Sequence, residues 1–159
     1  MRAVIQRVSS ATVRTADGES ATIGRGLLVL VSVGRDDGPE DCRWLAEKIT
    51  KLRIFPGADV GIGAERSPGQ MERSVLDADG NVLVVSQFTL HGSVRKGSRP
   101  SFNDAARPEV AQPLYEEFVL QLQTAMGHRV ETGRFGAMMQ VELINDGPVT
   151  ILIDTQSRG

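Results

Sequence analysis

Two short polar stretches hold the residues of this chain best suited to chemistry: Ser86-Gln87-Phe88-Thr89 and Asn145-Asp146-Gly147-Pro148-Val149-Thr150. Each follows an apolar run, Val82–Val85 for the first and Val141–Ile144 for the second. Runs of this kind read as buried strands, and polar groups directly after a strand sit on a rim held by a rigid scaffold. A Ser86 or Thr89 hydroxyl becomes a nucleophile only beside a base. The sequence offers little of that kind. Ser86 lies in no G-x-S-x-G elbow, and the chain has 2 histidines. His91 shares a face with Thr89 if the strand persists, but positions on one face point in parallel and do not converge. No H-x-x-x-H or C-x-x-C spacing provides a metal set. The plainer reading of the first stretch is a strand end turning a corner, with Phe88 in the core.

Gly147-Pro148 reads first as an ordinary turn between two strands. An X-Pro bond is also cis at a cost of only about 0.5–1 kcal/mol, and a cis bond would point the Gly147 and Pro148 carbonyls the same way. Pro148 has no N–H, so that rim would present acceptors only. Such a rim could hold an ammonium group, or block one stereochemical direction. Asn145 and Thr150 would brace it through side chain–backbone hydrogen bonds. A third group is basic: Arg95, Lys96, Arg99 and Arg107 stand against Asp104 alone. It is either a solvated face or a contact for phosphates.

Behind these residues stand the elements that must position them. Strands are expected over Arg2–Val8, Ala11–Thr15, Glu19–Ile23, Leu27–Val33 and Val82–Val85, with Asp17-Gly18 signalling a type I′ hairpin. Pro39, following Asp37-Gly38 and preceding Glu40-Asp41, opens a first helix. Its apolar stripe is Cys42, Leu45, Ala46, Ile49 and Leu52. Pro56–Arg73 reads as a surface loop. A second helix opens at Pro108, or regularly only from Pro113, carries Val110, Leu114, Phe118, Leu122 and Met126 on one face, and ends at Gly127. Short strands over Arg129–Thr132, Met138–Ile144 and Val149–Ile153 close the chain. The pattern is an α+β fold, one domain over 1–159 with two main helices and an antiparallel-rich sheet or barrel-like core.

The chain has 159 residues, 40% of them hydrophobic, and a net charge of −2, which argues against nucleic-acid binding through bulk charge. Of 18 basic residues 15 are Arg, which suits bidentate phosphate contacts but equally follows from a GC-rich genome. A single cysteine, Cys42, excludes an internal disulfide and points to a reducing, cytoplasmic setting. No apolar run is long enough to span a bilayer, so no membrane role is expected.

With Met1-Arg2-Ala3-Val4-Ile5-Gln6-Arg7-Val8 and Lys96-Gly97-Ser98-Arg99-Pro100-Ser101-Phe102, the two motifs resemble the D-aminoacyl-tRNA deacylase family, whose signatures are S-Q-F-T and N-x-G-P-x-T. The resemblance runs from Met1 to about Thr155, but Pro56–Arg73 departs from it, with only Gly69-Gln70-Met71-Glu72 echoing a family element. It implies a homodimer that hydrolyses the ester at an aminoacylated tRNA 3′ end without metal or cofactor. Ser86, Gln87, Phe88 and Thr89 would form the catalytic stretch, with backbone N–H groups as an oxyanion hole and the tRNA 2′-hydroxyl as a participant. Gly147 and Pro148, with Asn145 and Arg7, would exclude L-amino acids from the partner's site as a Gly-cisPro element. Arg95, Lys96 and Arg99 would meet tRNA phosphates, and Phe135 and Met139 the terminal adenine. A non-catalytic RNA-binding module and a sister deacylase of small L-amino acids remain as competing readings.

Overall fold

A computed structural model describes residues 1–57 and 71–158. Its strands are β1 (Arg2–Thr15), β2 (Ser20–Ile23), β3 (Gly26–Ser32), β4 (Phe55–Pro56), β5 (Met71–Arg73), β6 (Asn81–Ser86), β7 (Glu131–Thr132) and β8 (Met139–Asp154). The helices are α1 (Pro39–Lys51) and α2 (Pro108–Met126). β1 is the spine: β8 runs antiparallel along one edge, and β3 then β2 run antiparallel along the other. β6 joins β3 in parallel, and β7 joins β6 in parallel, so the sheet is mixed.

β3 and β6 are buried on both faces, which is why both read as unbroken apolar runs. One face, through Leu27, Val29, Val82 and Val84, packs under α1 and α2 with Leu45, Ile49, Phe118 and Leu122. The other face carries Leu28, Leu83 and Val85 and is covered by Val8, Ala11, Val13 and Ile23. The sheet therefore folds over itself, and β1 supplies the bend: its pairing with β8 shifts at Gln6/Val8 and again at Val8/Ser10. Extra residues in a ladder bend the strand.

α1 begins as its sequence dictates, with Gly38 at the cap, Pro39 next, and the Asp41 carboxylate accepting from the Gly38 N–H at 2.9 Å. Gly127, at φ 73°, terminates α2.

Five expectations need correction. The strands expected over Arg2–Val8 and Ala11–Thr15 are one, β1, because β8 pairs with it along both halves. The Asp17-Gly18 turn is not type I′: only Gly18 has positive φ, the Gly18 N–H bonds to Thr15 O and the Thr15 N–H to Glu19 O. That is a three-residue loop closed by a glycine bulge. α2 is regular from Pro108, through Pro113, and its buried stripe is Ala111, Tyr115, Phe118, Leu122 and Met126, with Val110 exposed. Pro113 lies early enough that only one intrahelical donor is missing. The two final strands are one, β8, continuous through Gly147-Pro148. The segment expected as a loop from Pro56 to Arg73 has its ends paired, Phe55 opposite Arg73, while residues 58–70 lie outside the described residues.

Candidate active site

The strand carrying the first motif stops at Ser86, and Phe88–His91 winds into a 3₁₀ turn. Gln87 is still tied to the sheet by its N–H on Val31 O at 2.8 Å. The turn closes through Leu90 N–H to Gln87 O and Gly92 N–H to Thr89 O. The first donors of such a turn, the Phe88 and Thr89 N–H groups, have no carbonyl to reach, and neither takes part in a turn or loop backbone bond among the described residues. Ser86 and Gln87 are half-buried, and the Gln87 side-chain amide donates to the Thr89 hydroxyl.

Phe88 is not a core residue. The residue is 59% exposed, and its ring lies edge-on to Phe102, with centroids 5.1 Å apart. His91 makes no dyad with Thr89. Because the strand ends before it, its side chain turns inward, buried, with Nδ1 2.6 Å from Ser32 Oγ. Burial, then the nearby Arg2 guanidinium, push the His91 pKa below its ordinary value.

After the turn, Ser93 and Ser101 pair reciprocally, so the segment between them is a small hairpin. Arg95, Lys96 and Arg99 are exposed on it. The loop's acid, Asp104, instead faces Arg35 at 3.3 Å, which leaves the hairpin's positive charge local.

The second motif is a bulge. β1 advances from Gln6 to Val8 while β8 runs from Thr150 to Asn145, so Asp146 to Val149 stand out opposite Arg7 alone. Gly147 and Pro148 are exposed at its tip, and the bond between them is cis. Val149 is buried at its base. Gly147 has φ 129°, and a Cβ there would lie 2.8 Å from Val149 Cγ2 and 3.0 Å from the Arg7 guanidinium, so no other residue fits. Asn145 bridges the neck, its amide donating to Arg7 O and Val149 O, both at 3.0 Å. Thr150 bonds weakly to Asn145 at 3.4 Å. Arg7 straps the bulge to the body through Nε to Asp146 O at 3.1 Å and NH1 to Ile54 O at 2.6 Å.

Both motifs are built, but they do not meet within the chain. Ser86 is level with Val31, Ala3 and Ile153, whereas the bulge is level with Arg7. At about 3.3 Å per residue and about 4.8 Å per strand, the ladder separates them by roughly 20 Å.

Phe135 follows a segment held to β6, where the Gly133 N–H bonds Val84 O at 2.9 Å. It packs on Tyr115 and borders a groove of about 450 Å³ between α2 and residues 132–135. Met139 borders a separate depression of about 550 Å³ with Arg14 and Gly18, so the two residues do not line one pocket. Ser32, the serine that interrupts the apolar run of β3, was not among the expected site residues. Nor was Phe102, the neighbour of Phe88. No group of three or more His, Cys, Asp or Glu suited to a metal ion occurs among the described residues.

A family model described as D-Tyr-tRNA(Tyr) deacylase matches residues 4–154. Curated relatives named D-aminoacyl-tRNA deacylase include that of Opitutus terrae, 56% identical with 99% of each chain covered. Another, from Thermotoga petrophila, is 54% identical, covering 98% of this chain and 97% of that one. Among solved structures, one titled c-Myc DNA Unwinding Element Binding Protein is 38% identical with a TM-score of 0.84, covering 98% of this chain and 99% of that one. A probable eukaryotic D-amino acid tRNA deacylase shares the fold at 19% identity and a TM-score of 0.80, covering 96% and 97%. Matched along nearly its whole length, the chain belongs to the D-Tyr-tRNA(Tyr) deacylase family.

Proposed function

We propose that this protein is a hydrolase that cleaves the ester of D-aminoacyl-tRNA to free tRNA and D-amino acid, and that it works as a homodimer with composite sites. The observation that carries the proposal is the pair of unspent N–H groups on Phe88 and Thr89, together with a braced acceptor rim roughly 20 Å away that only a second copy could bring to them. An aminoacyl ester is already activated, and its neighbouring ribose 2′-hydroxyl has the effective molarity of an internal group. The protein therefore needs to hold the ester, stabilise the developing oxyanion on the two N–H groups, and admit water. No side-chain base is required. Ser86 and Gln87 set the start of the turn, and Gln87 occupies the Thr89 hydroxyl.

The rim supplies chirality by exclusion. Gly147 and Pro148 present backbone only, so they sense what occupies the space beside the substrate Cα and nothing further along the side chain. Varied D-side chains are then accepted, L-side chains are rejected, and glycyl-tRNA, which has no side chain to reject, is hydrolysed. The exposed Arg95, Lys96 and Arg99 hairpin meets acceptor-stem phosphates, and Phe135 offers a face for the terminal base. Met139 contributes only if binding joins the two depressions.

The test is deacylation of matched D-, L- and glycyl-tRNAs. D and glycyl substrates should be cleaved, and L substrates spared by about a thousandfold, which is about 4 kcal/mol at 1.36 kcal/mol per decade. Cleavage of small L-substrates in preference to D would assign the protein to editing of L-amino acids. Binding without turnover would leave it an RNA-binding module.

A further inference from the structure

Ser32 closes β3 and is 3% exposed. Its hydroxyl touches both ends of the 3₁₀ turn at once. It lies 3.4 Å from the Phe88 carbonyl oxygen, at the start, and 2.6 Å from His91 Nδ1, at the end. The Phe88 carbonyl and the Thr89 N–H belong to one planar trans peptide and point in opposite directions. Whatever holds that carbonyl toward the sheet therefore aims the Thr89 N–H outward, toward the site.

A serine hydroxyl has one proton. If Nδ1 accepted it, the Phe88 carbonyl would keep only the His91 N–H of the 3₁₀ turn. If Nδ1–H instead donates to Ser32 Oγ, the hydroxyl proton is free for the carbonyl, and both contacts are satisfied. Each link of such a chain polarises the next. The 3.4 Å link is long, as such contacts often are before substrate tightens them. His91 has little room to swing away. A Cβ on Gly34 would lie 2.9 Å from Nε2, so the ring is seated against a position where only glycine fits. A third strap holds the same turn: Arg2 NH1 donates to Leu90 O at 3.1 Å, and Arg2 is itself held by Asp154 at 2.9 Å.

We propose that His91 and Ser32 are positioning residues, a hydrogen-bond relay from His91 Nδ1–H through Ser32 Oγ–H to the Phe88 carbonyl that aims the Thr89 N–H at the substrate oxyanion. The proposal rests on the oxyanion role argued above for that N–H. Neither side chain touches substrate, so ground-state binding is left intact and the loss falls on the chemical step.

The experiment measures kcat and KM for a D-aminoacyl-tRNA with four variants, each with its melting temperature. An aligned oxyanion donor is worth about a hundredfold or more, and a misaimed one keeps part of that. Ser32→Ala should lower kcat about 10- to 100-fold with KM nearly unchanged. His91→Leu, which fills space without donating, should do the same. His91→Asn places an amide N–H where Nδ1–H stands and should restore most of kcat. The double variant Ser32→Ala/His91→Leu should be no slower than the worse single, because two members of one relay are not additive. Additive losses, losses confined to KM, or equal activity of His91→Leu and His91→Asn at matched folded fractions would overturn the relay. A wild-type protein that turned over no D-aminoacyl-tRNA would instead overturn the function beneath it, so the two failures are told apart.

Discussion

Arg7 is the side chain on which the rim argument can be pressed hardest, through Arg7→Ala. The residue is 12% exposed and binds two main-chain carbonyls, Ile54 O at 2.6 Å and Asp146 O at 3.1 Å. Its ion pair with the Asp146 carboxylate, at 3.3 Å, has a partner 41% exposed, and such a pair contributes about 1 kcal/mol at most. Ile54 is 4% exposed, so truncation leaves a carbonyl unpartnered in the interior at about 1–3 kcal/mol. The bond to Asp146 O adds about 1 kcal/mol. A total near 3 kcal/mol, at about 2–4 °C per kcal/mol for a chain of this size, lowers the melting temperature by about 6–12 °C. The catalytic signature is separate. Asn145 still closes the neck of the bulge, so the rim persists but yields. A rim that gives way by about 1–2 kcal/mol against an L-side chain loses about tenfold of its discrimination. The D-substrate kcat should hold, since the Phe88 and Thr89 N–H groups are untouched. The assay is deacylation of matched D- and L-aminoacyl-tRNA at a temperature where the variant is folded, with Arg7→Lys, which keeps one donor, as the milder change. An unchanged D/L ratio in folded Arg7→Ala would refute the account of Arg7 as the strap of a selective rim.

Other expectations are as direct. Thr89→Ala should retain most deacylation, whereas a terminal 2′-deoxyribose should abolish most of it; a trapped aminoacyl-Thr89 ester would show that a side-chain nucleophile exists after all. Mixing a Phe88→Pro chain, which lacks that backbone N–H, with a Gly147→Val chain should restore part of the lost activity through heterodimers having one intact site, and full activity of a dilute monomer would count against composite sites. His91 is held below its ordinary value of 6.5, so the unfolded chain takes up this proton first as pH falls. Stability from a neutral His91 is therefore present above that value and lost as pH falls from it toward the folded pKa. Comparing melting temperatures at about pH 8 and about pH 5, wild type should lose ground to His91→Asn on the acid side. Arg2, Asp37, Asp154 and the Met1 ammonium, the charges around the ring, are common to both proteins. Equal acid slopes would mean that the ring titrates as it does in water.

What the sequence determined by itself was local. Period-two alternation marked the first half of β1, unbroken apolar runs marked β3 and β6, and Gly38-Pro39 and Gly127 marked helix ends, because each of these signals is exhausted within a few neighbouring residues. The exposure of the two candidate stretches was legible for the same reason: polar groups directly after an apolar run fall on a rim. Tertiary structure decided what lay beyond that reach. Gly147-Pro148 is a bulge and not a turn because β8 keeps β1 as its partner on both sides, a matter of register between residues far apart in the chain. His91 faces inward because the strand stops at Ser86 and a 3₁₀ turn follows, and its partner Ser32 lies 59 residues away. The order of residues shows that a hydroxyl interrupts β3. Only the pairing of β3 with the end of β6 shows that this hydroxyl stands behind the Phe88–Thr89 peptide.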